Sequence, residues 1–103
     1  MKVFRQGDVL LVQVKALPKE SAISKREDGQ IILAFGEVTG HAHRIAEPAK
    51  AKLWSAQAER YLQVLETTSL AHEEHSAVEL APGIYQVAIQ TDYTPQELRR
   101  VTD

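Results

Sequence analysis

The sequence predicts a mainly β fold, a small single-domain barrel or sandwich over residues 1–103 that ends in a short C-terminal helical turn. Three observations predict it. Short apolar runs are rich in β-branched residues, turn-forming residues separate them at close spacing, and 103 residues leave room for one hydrophobic core and no second module.

The first strand is read at Asp8-Val-Leu-Leu-Val-Gln-Val14, an apolar run preceded by the turn-former Gly7 and stopped near Pro18. Residues 15–30 carry mixed charge, a proline and the pair Asp28-Gly29. They read as an exposed loop turning at that pair, of a length that often covers a site. Ile31-Ile-Leu-Ala-Phe35 is a second strand. Gly36 interrupts it, an extended pattern resumes through Glu37-Val-Thr-Gly-His-Ala-His-Arg-Ile45, and the two glycines, Gly36 and Gly40, imply a bulge or tight bend.

From Ala49 to Glu66 the composition suits a helix, but Arg60-Tyr-Leu-Gln-Val-Leu65 also reads as a buried strand, and the strand is preferred for 60–65. Ala77-Val-Glu-Leu80, then Pro82-Gly83, then Ile84 to Gln90 predicts a hairpin with a type II turn, with Tyr85, Val87 and Ile89 on one face. Thr94-Pro95-Gln96-Glu97 has the form of an N-cap with proline at the first helical position, so a helical turn is expected through Arg100. Phe35, Trp54, Tyr61 and Tyr85 are assigned to packing.

Composition narrows the function classes. No apolar run approaches the roughly 20 residues that span a bilayer, and the opening residues turn polar where a signal peptide needs an apolar stretch, so a cytoplasmic location is expected. Cysteine is absent, which removes disulfides, thiolate zinc sites and iron–sulfur clusters. A net charge of -2 offers nucleic acid no global attraction, and such binding would rest on a local patch such as Lys25-Arg26 or Arg99-Arg100. Exposed β-edges in so small a domain admit a homo-oligomer.

The chemistry is concentrated in four histidines arranged as His41-x-His43 and His72-x-x-His75, with none elsewhere. Residues two apart on a strand share a face, so His41 and His43 present two imidazoles together, and a turn can do the same for His72 and His75. The two arms predict a site for a divalent transition metal, zinc first, with His41, His43, His72 and His75 as ligands and a carboxylate available from Glu37, Glu47, Glu73 or Glu74. With one position open to water, Glu74 or Glu73 serves as general base, Arg44 contacts an unidentified substrate, and the activity is that of a metal-dependent hydrolase. Two alternatives stand beside it: a non-enzymatic binding or adaptor barrel with a structural histidine site, and a metal-independent ribonuclease that uses histidines as acid and base. The plainest reading makes His41 and His43 solvent-facing strand residues and the second pair the decoration of a turn.

Arg5-Gln-Gly-Asp-Val-Leu-Leu11, Gly36-Glu-Val-Thr-Gly-His-Ala-His-Arg44, His72-Glu-Glu-His75 and Pro82-Gly-Ile-Tyr85 resemble a group of small bacterial proteins of uncharacterised function. This resemblance implies a bacterial cytoplasmic origin and no particular activity. His41, His43 and Glu47 also resemble the first cupin motif, His-x-His-x3-Glu, which implies a metal-binding barrel with Glu47 as a further ligand. Cupins carry a later histidine after a Pro-x-Gly turn, whereas His72 and His75 precede Pro82-Gly83. The pattern of Asp8 to Val14 and Gly36 to Val38 is similar to the opening strands of chaperonin-10 barrels.

Overall fold

The computed structural model describes residues 2–26, 28–36 and 38–90. Among the described residues, ten strands form two antiparallel sheets. The larger sheet has the order β1-β2-β10-β7-β6-β3, and the smaller has the order β4-β5-β8-β9. The sheets do not close into a barrel. They face each other as a small sandwich, which decides between the two architectures read from the sequence. The predicted helical turn from Thr94 to Arg100 lies outside the described residues.

The first hairpin joins β1 (Val3–Gln6) to β2 (Val9–Val14) through Gly7-Asp8. Gly7 has φ 58° and Asp8 is not in the left-handed region, the pattern of a type II′ turn, whose twist suits a two-residue hairpin. Val9 and Leu11 point inward and are fully buried. The 15–30 stretch is an exposed connection as expected, apart from the two-residue edge strand β3 (Ala22–Ile23). Its turn falls at Asp28-Gly29, both with positive φ (53° and 76°).

β4 (Ile32–Phe35) and β5 (Ala42–Ile45) pair across the tight bend that the two glycines implied. Gly36 N–H donates to the His41 carbonyl (2.8 Å), His41 N–H donates to the Val38 carbonyl (3.0 Å), and Gly40 sits at φ 89°. After a 3₁₀ turn at Pro48–Lys50, β6 (Ala51–Ala56) and β7 (Glu59–Val64) form a hairpin, so the ambiguous 49–66 region holds two strands rather than one.

β8 (Thr68–Ala71) pairs with β5 and β9 (Val78–Leu80), while β10 (Gly83–Ile89) lies between β2 and β7. The predicted 77–90 hairpin is therefore corrected. β9 and β10 belong to different sheets, and Pro82-Gly83 is the corner between them; Gly83 has φ 158°, far from the value near +80° that a type II turn requires. Each local run is a strand, but a local pattern carries no information about which sheet a strand joins.

One hydrophobic cluster draws on both sheets, with Leu11, Leu33, Ile45, Leu53, Leu62, Leu70, Leu80 and Tyr85 among its members. Phe35, assigned to packing, is instead 66% exposed at the end of edge strand β4. No helix of the described residues is long and apolar enough to cross a membrane.

A β-carbon on Gly40 would meet nothing within 4 Å, so the cost of Gly40→Ala is backbone strain alone. The variant is expected to lose about 1–2 kcal/mol in denaturant unfolding, with loosening confined to the 36–41 bend in hydrogen exchange.

Candidate functional site

All four imidazoles come together. His43 and His72 rings lie 4.4 Å apart between centroids, His72 and His75 4.6 Å, His41 and His72 5.5 Å, and His43 and His75 5.8 Å. Their chain positions explain how. His41 and His43 enter β5 with their side chains on one face, and the bend between β8 and β9 carries His72 and His75 over that face. His43 is completely buried, which sets aside the solvent-facing reading.

Glu73 holds the two arms against each other. Its Oε1 accepts from the Ala42 backbone N–H (2.9 Å) and its Oε2 from Arg44 Nη1 (3.0 Å), so the 72–75 bend is tied to β5 at two points. The Ala42 N–H, with Arg44 adding to it, keeps this carboxyl below its ordinary range. Glu73 and Arg44 thus neutralise each other. Glu74 is 65% exposed, with Oε2 3.8 Å from His41 Nδ1.

Two residues missed as site residues complete the arrangement. Gln6 is 3% exposed on β1, and its Nε2 donates to the carbonyls of Leu70 and Ser76, both at 2.9 Å. With both amide hydrogens committed, Gln6 Oε1 can only accept, so the 2.8 Å contact to His43 Nδ1 makes that nitrogen the donor. Neutral His43 then carries its lone pair on Nε2, which lies 3.6 Å from Asp8 Oδ1. Asp8 is the second missed residue. Both lie in Arg5-Gln-Gly-Asp8, which reads in the sequence only as the polar opening of a buried strand.

His72 has the opposite tautomer. Its Nδ1 accepts from the backbone N–H groups of Glu74 (3.0 Å) and His75 (3.3 Å), which places the proton of the neutral ring on Nε2. His72 closes its own bend.

The arrangement can hold a cation. One ligand atom each from His41, His72 and Glu73 lie within 4.8 Å of one another. Among the described residues, buried Asp8 Oδ1 and His41 Nδ1 make no hydrogen bond. Their contacts to His43 and Glu74, at 3.6 and 3.8 Å, are too long for hydrogen bonds. They come within about half an ångström of the edge of a tetrahedral zinc site, where bonds of about 2.0–2.1 Å leave ligand atoms roughly 3.3 Å apart.

Glu47, the carboxylate of the cupin-like motif, is turned elsewhere: it pairs with Lys50 (3.0 Å) and accepts from Thr68 Oγ1 (3.2 Å). Glu37 lies outside the described residues.

Two outcomes follow from these contacts. Gln6→Leu strands two carbonyls and the His43 N–H in the interior, and chemical denaturation is expected to show a loss on the order of 3 kcal/mol. Lys50 and Thr68 hold the Glu47 carboxyl below its ordinary value of 4.5. Its stabilising contribution is therefore present above that value and lost as pH falls through the depressed one. Melting curves of wild type and Glu47→Gln should differ at neutral pH and converge in acid.

Neither a curated protein nor a solved structure matches the chain. A family model described as a domain of unknown function (DUF8820) matches residues 5–90, a span that includes Gln6, Asp8 and all four histidines. The chain belongs to the DUF8820 family.

Proposed function

We propose that this protein binds a divalent transition metal, zinc first, at the histidine cluster, with His43 Nε2 and Asp8 Oδ1 as the inner pair of ligands. The observation that carries the proposal is the buried Asp8 oxygen facing the Nε2 of a histidine whose Nδ1 is committed to Gln6. Among the described residues Asp8 Oδ1 is buried without a hydrogen bond, and a metal ion bound between it and the ring nitrogen 3.6 Å away supplies the positive charge that a buried carboxylate needs. An amide that accepts from the far nitrogen of the ligating ring is the support that metal-bound histidines ordinarily have.

His41, whose Nδ1 makes no hydrogen bond among the described residues, and His75, whose ring stacks on that of His43, are the further imidazoles of the set. Zinc in such a site supplies an activated water at neutral pH. Glu74, exposed and beside His41, is the carboxylate suited to take that water's proton; Glu73 is occupied by Ala42 and Arg44. The reading is therefore a metal-binding protein with the groups for hydrolysis of an ester or phosphodiester.

A second reading rests on the opposed tautomers. His43 as proton acceptor and His72 as proton donor at Nε2 are the pair that a metal-free acid–base enzyme such as a ribonuclease requires.

Elemental analysis and thermal melts decide between them. The metal reading expects one zinc per chain, a melting temperature that rises with zinc and returns with chelator, and zinc binding weakened about tenfold or more in Asp8→Asn. Absence of stoichiometric metal together with identical melts in zinc and in chelator overturns it. RNA cleavage that persists in chelator and disappears in His43→Ala and in His72→Ala establishes the second reading instead.

A further inference from the structure

A second polar site lies away from the histidines and shares no residue with them. Where the end of β3 and the start of β4 meet β6 and β7, a pocket of about 180 Å³ is lined by Lys25, Arg26 and Arg60, with Ser24 at its wall and Ile31 and Leu53 among its apolar lining. Among the described residues, no carboxylate lines it. Among the described residues, none of the three cations forms an ion pair.

Both guanidinium groups are anchored from behind. Arg26 Nη2 donates to the Ala51 carbonyl (2.8 Å), and Arg60 Nη2 donates to the Leu33 carbonyl across the sandwich. Each bond uses one donor, fixes the planar head, and leaves the other N–H groups available. Arg60 is half-buried, and desolvation pushes its pKa down. Two held guanidiniums and an ammonium around one small pocket repel one another, and a bound anion removes that penalty.

We propose that this pocket binds the phosphate group of a small ligand, with Arg26 and Arg60 as forked donors and Lys25 as a further positive charge. Three cations match a dianion better than a single carboxylate. The volume is below the usual range for drug-sized ligands, which suits a compact oxyanion group. A net charge of -2 gives a nucleic-acid chain no long-range attraction.

Calorimetric titration with inorganic phosphate, in chelator and at constant ionic strength, tests the site independently of any metal at the histidines. Saturable one-to-one binding is expected, weakened about tenfold in Arg26→Gln and in Lys25→Gln, and unchanged in Lys2→Gln. Arg60→Gln is expected to lose binding as well; should it fail to fold, the Arg26 and Lys25 variants still decide. Phosphate behaving like chloride, or binding equally to wild type and Arg26→Gln, overturns the proposal. A short single-stranded RNA that binds more tightly than phosphate through the same two residues replaces the small ligand with nucleic acid and also overturns it.

Discussion

The carboxamide of Gln6 is the contact on which the site depends. It stands on β1, at the edge of the larger sheet, and its two N–H groups reach the Leu70 carbonyl on β8 and the Ser76 carbonyl beyond the histidine bend. One side chain thereby joins the two sheets and fixes the bend that carries His72 and His75. Its oxygen then has only one role left, which is to accept from His43. Burial enforces this arrangement, because each unmet carbonyl or N–H in the interior carries a desolvation cost comparable to a whole hydrogen bond.

Around that contact the polar groups divide their work. Glu73 and Arg44 form a clamp between the bend and β5, so their charges are spent on each other and on the Ala42 N–H. The fixed charge they provide is structural. Asp8 and Glu74 are the carboxylates that face imidazoles at distances beyond hydrogen bonding. His43 and His72, though their rings nearly touch, are held in opposite tautomers by an amide on one side and two backbone N–H groups on the other. The cluster therefore has polarity as well as composition: an acceptor at His43 and a donor at His72.

The basic pocket has a different physical origin. It forms where edge strand β4 lies over β6 and β7, and Arg60 spans the gap to the Leu33 carbonyl. The two sites use different elements of the same sandwich, one at the bends near β5 and β8 and one at the opening beside β4. Placing both at element ends leaves the apolar cluster between the sheets intact.

Much of this was readable from local sequence. Val9 and Leu11, Leu62 and Val64, and Tyr85 and Val87 alternate as buried strand faces, and Gly7-Asp8, Asp28-Gly29 and Gly40 mark their turns, because strand pleating and left-handed backbone are properties of neighbouring residues. The pairing of histidines two and three apart was equally local. Gln6 was passed over because a lone glutamine in a short strand has no sequence signal for burial, and Asp8 because it read as the start of a run. What the tertiary structure alone decided was that β9 and β10 part into different sheets, that the two histidine arms meet, and that His43 holds its proton on Nδ1. The meeting of the arms and the His43 tautomer depend on partners 29 to 64 residues away, such as Arg44 with Glu73, Gln6 with His43 and Gln6 with Leu70, and no local pattern specifies a contact across that separation.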